Sequence, residues 1–418
     1  MIRTVLRALA AFVRREAVFC AAALCALVSA CVVPPSAAYT RYIDWNTLCI
    51  LFALMGVVGA LRSCGVFSTL GGILCRRFRS VRALCAVLVA LCFFSSMFIT
   101  NDVALLTFVP FTLSLLAPVA NGSIVMRVVI LQTIAANTGS MLTPLGNPQN
   151  LFLFQQTGLP LGRFLAVMLP YTALSALLLL GAIVQLHTAG TITGDTAAPQ
   201  AALPQRVPPV RHVHRHERAT AAAAPRLPIA ARITVYTALF VLCLLAVFRV
   251  LPKPAAAAAV FLGLFVTDRR LLAGIDYMLL ATFVAFFIFT GNIAHIPPLQ
   301  AFLERAVSGH EWSAAVAVSQ FISNVPATLL LYPFAAESRA LLIGVNVGGL
   351  GTLVASLASL ISYKLYAAHR ERALTQATQP PETALPGTGR YLATFTLYNV
   401  LALGAMVALY AVLGVCSR

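Results

Sequence analysis

Apolar residues run along most of this chain in stretches long enough to cross a lipid bilayer, and polar strings interrupt them at matching places in the two halves. A bilayer core about 30 Å thick takes about 20 apolar residues in helical form. On that measure the predicted spans are 16–33, 44–61, 124–155, 164–186, 232–251, 254–267, 274–293, 338–363 and 391–414. The third and eighth read as broken helices, interrupted at Asn137–Thr143 and Asn346–Thr352. Two further stretches, about 82–118 and about 311–337, carry the near-copies Phe-Ile-Thr-Asn-Asp-Val-Ala (Phe98 to Ala104) and Phe-Ile-Ser-Asn-Val-Pro-Ala (Phe321 to Ala327). Each is followed by an apolar run ending in Pro-Phe, at Pro110-Phe111 and Pro333-Phe334.

Composition removes the soluble classes. Of 418 residues, 60% are hydrophobic and 10% charged, which no water-soluble globular domain matches. The net charge of +17 suggests nucleic acid at first sight, but its distribution does not. With the N-terminus cytoplasmic, Arg62, Arg76, Arg77, Arg79, Arg82, Arg127, Arg269, Arg270, Lys364, Arg370, Arg372, Arg390 and the arginines of the central loop all fall inside. Only Arg41, Arg163, Arg249, Lys253, Arg305, Arg339 and Arg418 fall outside, the asymmetry that the positive-inside rule describes. Arg3, Arg7, Arg14 and Arg15 precede an apolar run to Val33, which reads as an uncleaved first span. Ten cysteines lie scattered in apolar stretches with no CxxC pair, so neither a metal site nor a disulfide framework is expected. His212, His214 and His216 alternate in the central loop, but interleaved arginine opposes metal binding.

That orientation requires 82–118 and 311–337 each to enter and leave on one side, as re-entrant hairpins with a polar tip near the bilayer middle. Two ordinary spans in each stretch are the other reading. Non-helical backbone at such depth is tolerated only where protein or water covers it. The two halves then match in order. Asp44 and Asp276 open a span as helix caps, a hairpin and a broken span follow, and 164–186 and 391–414 close each half. The expected fold is an all-α polytopic membrane protein with two inverted-topology repeats, each holding a re-entrant helical hairpin and a broken transmembrane helix. The first repeat covers 1–186 and the second 232–418. Residues 187–231, rich in Ala, Pro, Thr, Arg and His, read as a flexible cytoplasmic linker, and 373–389 as a shorter loop.

The polar interruptions supply ligand chemistry. A helix ending in mid-membrane offers N–H groups to an anion or carbonyls to a cation. Thr100, Asn101, Asp102, Ser323 and Asn324 provide side chains at the tips. Asn137, Thr138, Gly139, Asn346, Gly348 and Gly349 provide amide, hydroxyl and open backbone at the breaks. Packing by small residues is the plainer reading of any one of these motifs. Asn147 and Asn150 lie just past the first break, and their counterparts are Ser356 and Ser359. Asp102 is the one carboxylate placed deep in the membrane, where an ionisable group is costly and suggests function. It could bind Na+ or take up a proton; capping of a helix is the alternative.

These tips and breaks resemble those of the ion transporter superfamily, which includes divalent-anion/sodium symporters, citrate permeases, arsenite-pump membrane subunits and sodium/proton antiporters. The resemblance covers most of the chain outside the linker and the first dozen residues. It implies that Thr100, Asn101, Asn137, Thr138, Ser323, Asn324 and Asn346 line the site, and that members are often dimeric and move like an elevator. The third motif positions depart from the dicarboxylate members' Ser-Asn-Thr, holding Asp102 and Val325. The expected function is secondary active transport of a small inorganic or organic anion across the inner membrane, coupled to Na+ or H+. No cofactor is expected beyond a bound Na+, for which Asp102 is the metal ligand. Partners would be the anion, the coupling cation, the bilayer and a second copy of the chain. Metalloid efflux or Na+/H+ antiport is the alternative, and Asp102 favours it. A channel is a further reading, which broken hairpins suit less well. An intramembrane enzyme would need a catalytic pair at membrane depth, and a scaffold would leave the polar tips unexplained.

Overall fold

The computed structural model describes residues 12–13, 16–75, 78, 80–117, 120–186, 227–376 and 384–416. The linker histidines, Arg76, Arg77 and Arg79 lie outside the described residues. Helices account for the regular structure. They are α1 (Ala17–Val32), α2 (Trp45–Ser63), α3 (Val66–Cys75), α4 (Val81–Ser95), α5 (Asn101–Leu116), α6 (Gly122–Ser140), α7 (Pro148–Thr157) and α8 (Leu161–Val184) in the first half. The second half holds α9 (Ile229–Val247), α10 (Lys253–Asp268), α11 (Tyr277–Ile293), α12 (Pro297–Val307), α13 (Glu311–Ile322), α14 (Asn324–Leu331), α15 (Ser338–Val347), α16 (Leu357–Gln376) and α17 (Thr388–Cys416). Among the described residues, α2, α8, α9 and α17 are each long and apolar enough to cross a membrane alone. Leu177, Leu180, Val241, Leu397 and Leu401 stand exposed on α8, α9 and α17. In water such faces would be a liability; in lipid they are the solvated surface.

Local chemistry sets the helix starts. The Asp44 carboxylate accepts from Thr47 N–H at 3.2 Å and that of Asp276 from Leu279 N–H at 2.9 Å, so both act as the caps expected of them. Asn147 caps α7 by accepting from Asn150 N–H at 2.9 Å, with Pro148 at the first helical position.

Two boundaries shift. Helix α9 begins at Ile229, inside the linker assigned to 187–231, because Pro228 presets its first turn. Helix α16 continues to Gln376, into the loop assigned to 373–389. Helices α3 and α12 were not anticipated: at ten and eleven residues they are too short to span a bilayer, and length was the criterion.

From α2 and from α11 onward the two halves each hold seven described helices in matching order, and packing follows that correspondence. Helix α4 packs on α6 as α13 packs on α15. Helix α5 packs across the halves on α16, and its counterpart α14 packs on α7. The leading helices also cross over, α1 against α11 and α10 against α2. The stretch 311–337 begins and ends at one place, since Ala336 N–H donates to Glu311 Oε1 at 3.1 Å.

Candidate functional site

Breaks in α6–α7 and α15–α16 bring four helix ends together in the middle of the molecule. Asn137 lies in the last turn of α6, which runs to Ser140. Its amide donates to Ser359 Oγ at 3.2 Å, and its Oδ1 accepts from Ser356 Oγ at 3.0 Å, both across the halves. Asn346 holds the corresponding place in α15. Its amide donates to Asn150 Oδ1 at 2.6 Å, and its Oδ1 accepts from Asn147 Nδ2 at 3.2 Å. Each asparagine therefore binds the residues ten and thirteen positions beyond its counterpart's place in the other half. All six side chains are buried. Buried amides must be paired or they cost free energy, and here each half satisfies the other.

The tips join this network unequally. Asn101 opens α5, accepts from Asp102 N–H at 3.0 Å and donates to Asn137 Oδ1 at 3.1 Å. Its own N–H donates to Gly146 O in the first break at 3.0 Å. Asn324, which opens α14, stands against Gly349: a Cβ there would lie 2.8 Å from Asn324 Nδ2. Ser323 joins α13 to α14 with φ 74 and ψ 154, a conformation that glycine favours. A strained residue at a tip persists because its surroundings hold it, and such residues gather at functional sites.

The remaining predicted residues divide. Thr100 precedes α5 without a side-chain capping bond. The Thr138 hydroxyl is buried and donates to Ile134 O of its own helix at 2.8 Å, so it turns away from the cross-half network. Gly139 and Gly348 serve close packing by the tip-bearing helices. A Cβ on Gly139 would lie 2.1 Å from Phe93 O and 2.7 Å from Ser96 Oγ, and one on Gly348 would lie 2.8 Å from Ser319. Asp102 is partly buried one residue into α5. Among the described residues no hydrogen bond reaches its carboxylate and no cation pairs with it. It is not the helix cap, since it lies inside the first turn and its carboxylate accepts no backbone N–H among the described residues.

Three supporting residues were not among the predicted site residues, though Ser140 lies within the interruption Asn137–Thr143. Gln320 of α13 fills the second break, donating to Gly348 O at 2.9 Å and Leu350 O at 3.0 Å while accepting from Thr352 N–H at 2.9 Å. Gln132 of α6 donates to Leu88 O at 3.1 Å and Thr112 Oγ1 at 2.8 Å, tying α4 and α5 to α6. Ser140 accepts from Asn147 Nδ2 at 3.3 Å. An uncharged polar residue inside an apolar helix was the available signal for each.

Helices α5, α7, α14 and α16 all begin at this centre, while α4, α6, α13 and α15 end at it. It therefore presents N–H groups and carbonyls together, with amide side chains between them and one carboxylate beside them.

Comparison with known proteins identifies the family. The family model described as citrate transporter matches residues 4–365. The chain is 32% identical over 337 residues to the inner membrane protein YbiR of Escherichia coli, covering 77% of this chain and 80% of that one. It is 28% identical over 325 residues to the uncharacterized transporter MJ0456 of Methanocaldococcus jannaschii, covering 77% and 81%. A shorter match, 38% identical over 129 residues, joins it to the silicon efflux transporter LSI3 of Oryza sativa subsp. japonica, covering 31% of this chain and 26% of that one. The chain is therefore a multi-pass membrane transporter and belongs to the citrate transporter family.

Proposed function

We propose that the chain is a secondary active transporter that moves a small oxyanion across the cytoplasmic membrane, coupled to Na+ or H+ at Asp102. The reciprocal binding of Asn137 to Ser356 and Ser359, and of Asn346 to Asn147 and Asn150, carries this reading. A site shared by two matching halves suits a carrier, because rocking one half against the other changes which side reaches it. Four helix N-termini favour an anion and four helix C-termini a cation. In this reading α4–α5 and α13–α14 are re-entrant hairpins, the repeats have opposite topology, and the N-terminus is cytoplasmic. Asp102, Asn101 and Asn324 hold the coupling cation. Asn137, Asn147, Asn346 and the backbone of Gly349 bind substrate.

Efflux of a metalloid is the second reading. The match to a silicon efflux transporter and Asp102, unpaired among the described residues, favour it, since a fixed negative charge repels a polyanion and tolerates a weak acid.

Purified protein in proteoliposomes would be tested with labelled citrate, phosphate, silicate and arsenite under imposed Na+ or pH gradients. The first reading requires gradient-driven accumulation of citrate or phosphate, lost in Asp102→Asn. Movement of silicate or arsenite alone selects the second. Transport of one of these that ignores both gradients sinks the coupled mechanism.

A further inference from the structure

One buried charge plays no part in the reading above. Glu311, 3% exposed, is the first residue of α13. Its Oε1 accepts three backbone N–H groups: Gly309 at 3.1 Å, Ala336 at 3.1 Å and Glu337 at 3.2 Å. Gly309 precedes the α13–α14 pair, and the other two residues follow it. A single oxygen thus bridges both ends of the stretch. Gly309 adopts φ +78, a left-handed turn that glycine makes without strain. Next to Glu311, Trp312 stacks on Tyr410 of α17 with ring centroids 4.3 Å apart and planes within 7°. The corresponding residue of the first half is Leu88, which has no carboxylate to offer.

Helix α13 runs from this clasp to Ser323. Twelve residues of helix span about 18 Å, and a helix is stiff over that length. A shift at the mouth therefore reaches the tip. Ser323 has strained backbone and keeps its conformation only while both flanking helices are held.

We propose that Glu311 is a positioning residue for the candidate site: its carboxylate clasps the two ends of the second hairpin and so sets where Ser323 and Asn324 stand. The proposal rests on the reading that this tip belongs to the transport site. Gln320, bridging α13 to the second break, carries the same constraint toward Gly348 and Thr352.

Charge is what makes the clasp strong, because hydrogen bonds to an ionised group exceed those to a neutral one. Burial alone would raise the carboxyl's proton affinity. Its own N–H and those of Gly309, Glu337 and Ala336 outweigh that and hold its pKa below the ordinary value. Glu311 begins the stretch 311–337, which is none of the predicted spans. The charged and titratable groups around it are His310, Glu337, Arg339 and Tyr410. A depressed folded pKa means that the clasp holds fully above the ordinary glutamate value of about 4.3 and loosens as pH falls through the lower folded value.

Hydrogen exchange on the full chain in nanodiscs tests this without a known substrate. In Glu311→Gln, the amides of Gly309, Ala336 and Glu337 should exchange about tenfold faster. Peptides covering 320–326 should follow, while those covering 97–104 stay unchanged. Faster exchange confined to the three amides, with the tip unmoved, overturns the proposal. If the variant does not fold, Glu311→Asp, which keeps the charge but shortens the reach, serves instead. It should loosen 320–326 but not 97–104, and equal change at both tips, or none at 320–326, overturns the proposal. Since exchange is read rather than transport, a failed uptake assay leaves this result interpretable.

Discussion

Replacing Asn346 with alanine probes the cross-half junction directly. The side chain is 2% exposed and makes three hydrogen bonds. Its amide donates to Asn150 Oδ1 at 2.6 Å and Leu342 O at 2.8 Å, and its Oδ1 accepts from Asn147 Nδ2 at 3.2 Å. The losses are unequal. Leu342 O keeps its place in the helical ladder of α15, and Asn147 Nδ2 keeps Ser140 Oγ at 3.3 Å. Asn150 Oδ1 loses the donor it has. An orphaned buried acceptor costs about 1–3 kcal/mol and each of the two replaceable bonds about 0.5–1.5 kcal/mol, so the total is about 2–6 kcal/mol. Reversible unfolding in mixed micelles, titrated with dodecyl sulfate, measures this. A double-mutant cycle sharpens it. Asn346→Ala with Asn147→Ala should couple by about 1 kcal/mol, because the two side chains touch. Asn346→Ala with Asn137→Ala should be nearly additive, because the two asparagines share no side-chain partner. An unfolding free energy unchanged by Asn346→Ala, or additivity in the first cycle, would show that the cross-half bonds do not hold this centre together.

Asp102→Asn keeps the shape of the tip and removes its charge; cation-driven transport should vanish while the folded protein stays in the membrane, as solute flux and size-exclusion profiles would show. Gly139→Ala and Gly348→Ala should each destabilise the protein by at least about 2 kcal/mol or prevent folding, because the new Cβ meets backbone or Ser319 inside 3 Å, whereas Gly181→Ala and Gly404→Ala meet nothing within 4 Å and should be neutral in the same titration. Deleting most of 195–225 should leave the transport rate nearly intact, and a well-expressed but inactive deletion would overturn the linker assignment.

Apolar length was enough to place α2, α8, α9 and α17, the described helices long and apolar enough to cross a bilayer alone, because a bilayer imposes one apolar length on a full span. The caps Asp44 and Asp276 could be read for a similar reason: a carboxylate just before an apolar helix has few other uses. Matching polar strings also marked Asn101, Asn137, Asn147 and Asn346 in advance, since polar residues at that depth need partners somewhere. Which partner each one finds could not be read. Ser356 and Ser359 were visible only as counterparts of Asn147 and Asn150, and their bonds to Asn137 cross more than half the chain. The same limit explains Thr138, which looks like its neighbour Asn137 in the sequence but turns back onto its own helix. It explains Gly139 and Gly348 as well, whose missing side chains admit another helix. Sequence pattern by itself settled which residues must leave water and which among them remain polar, because transfer free energy is a property of each residue. The tertiary structure alone decided which of those polar groups meet, because hydrogen bonding depends on distance and direction between segments that only the packed fold brings together.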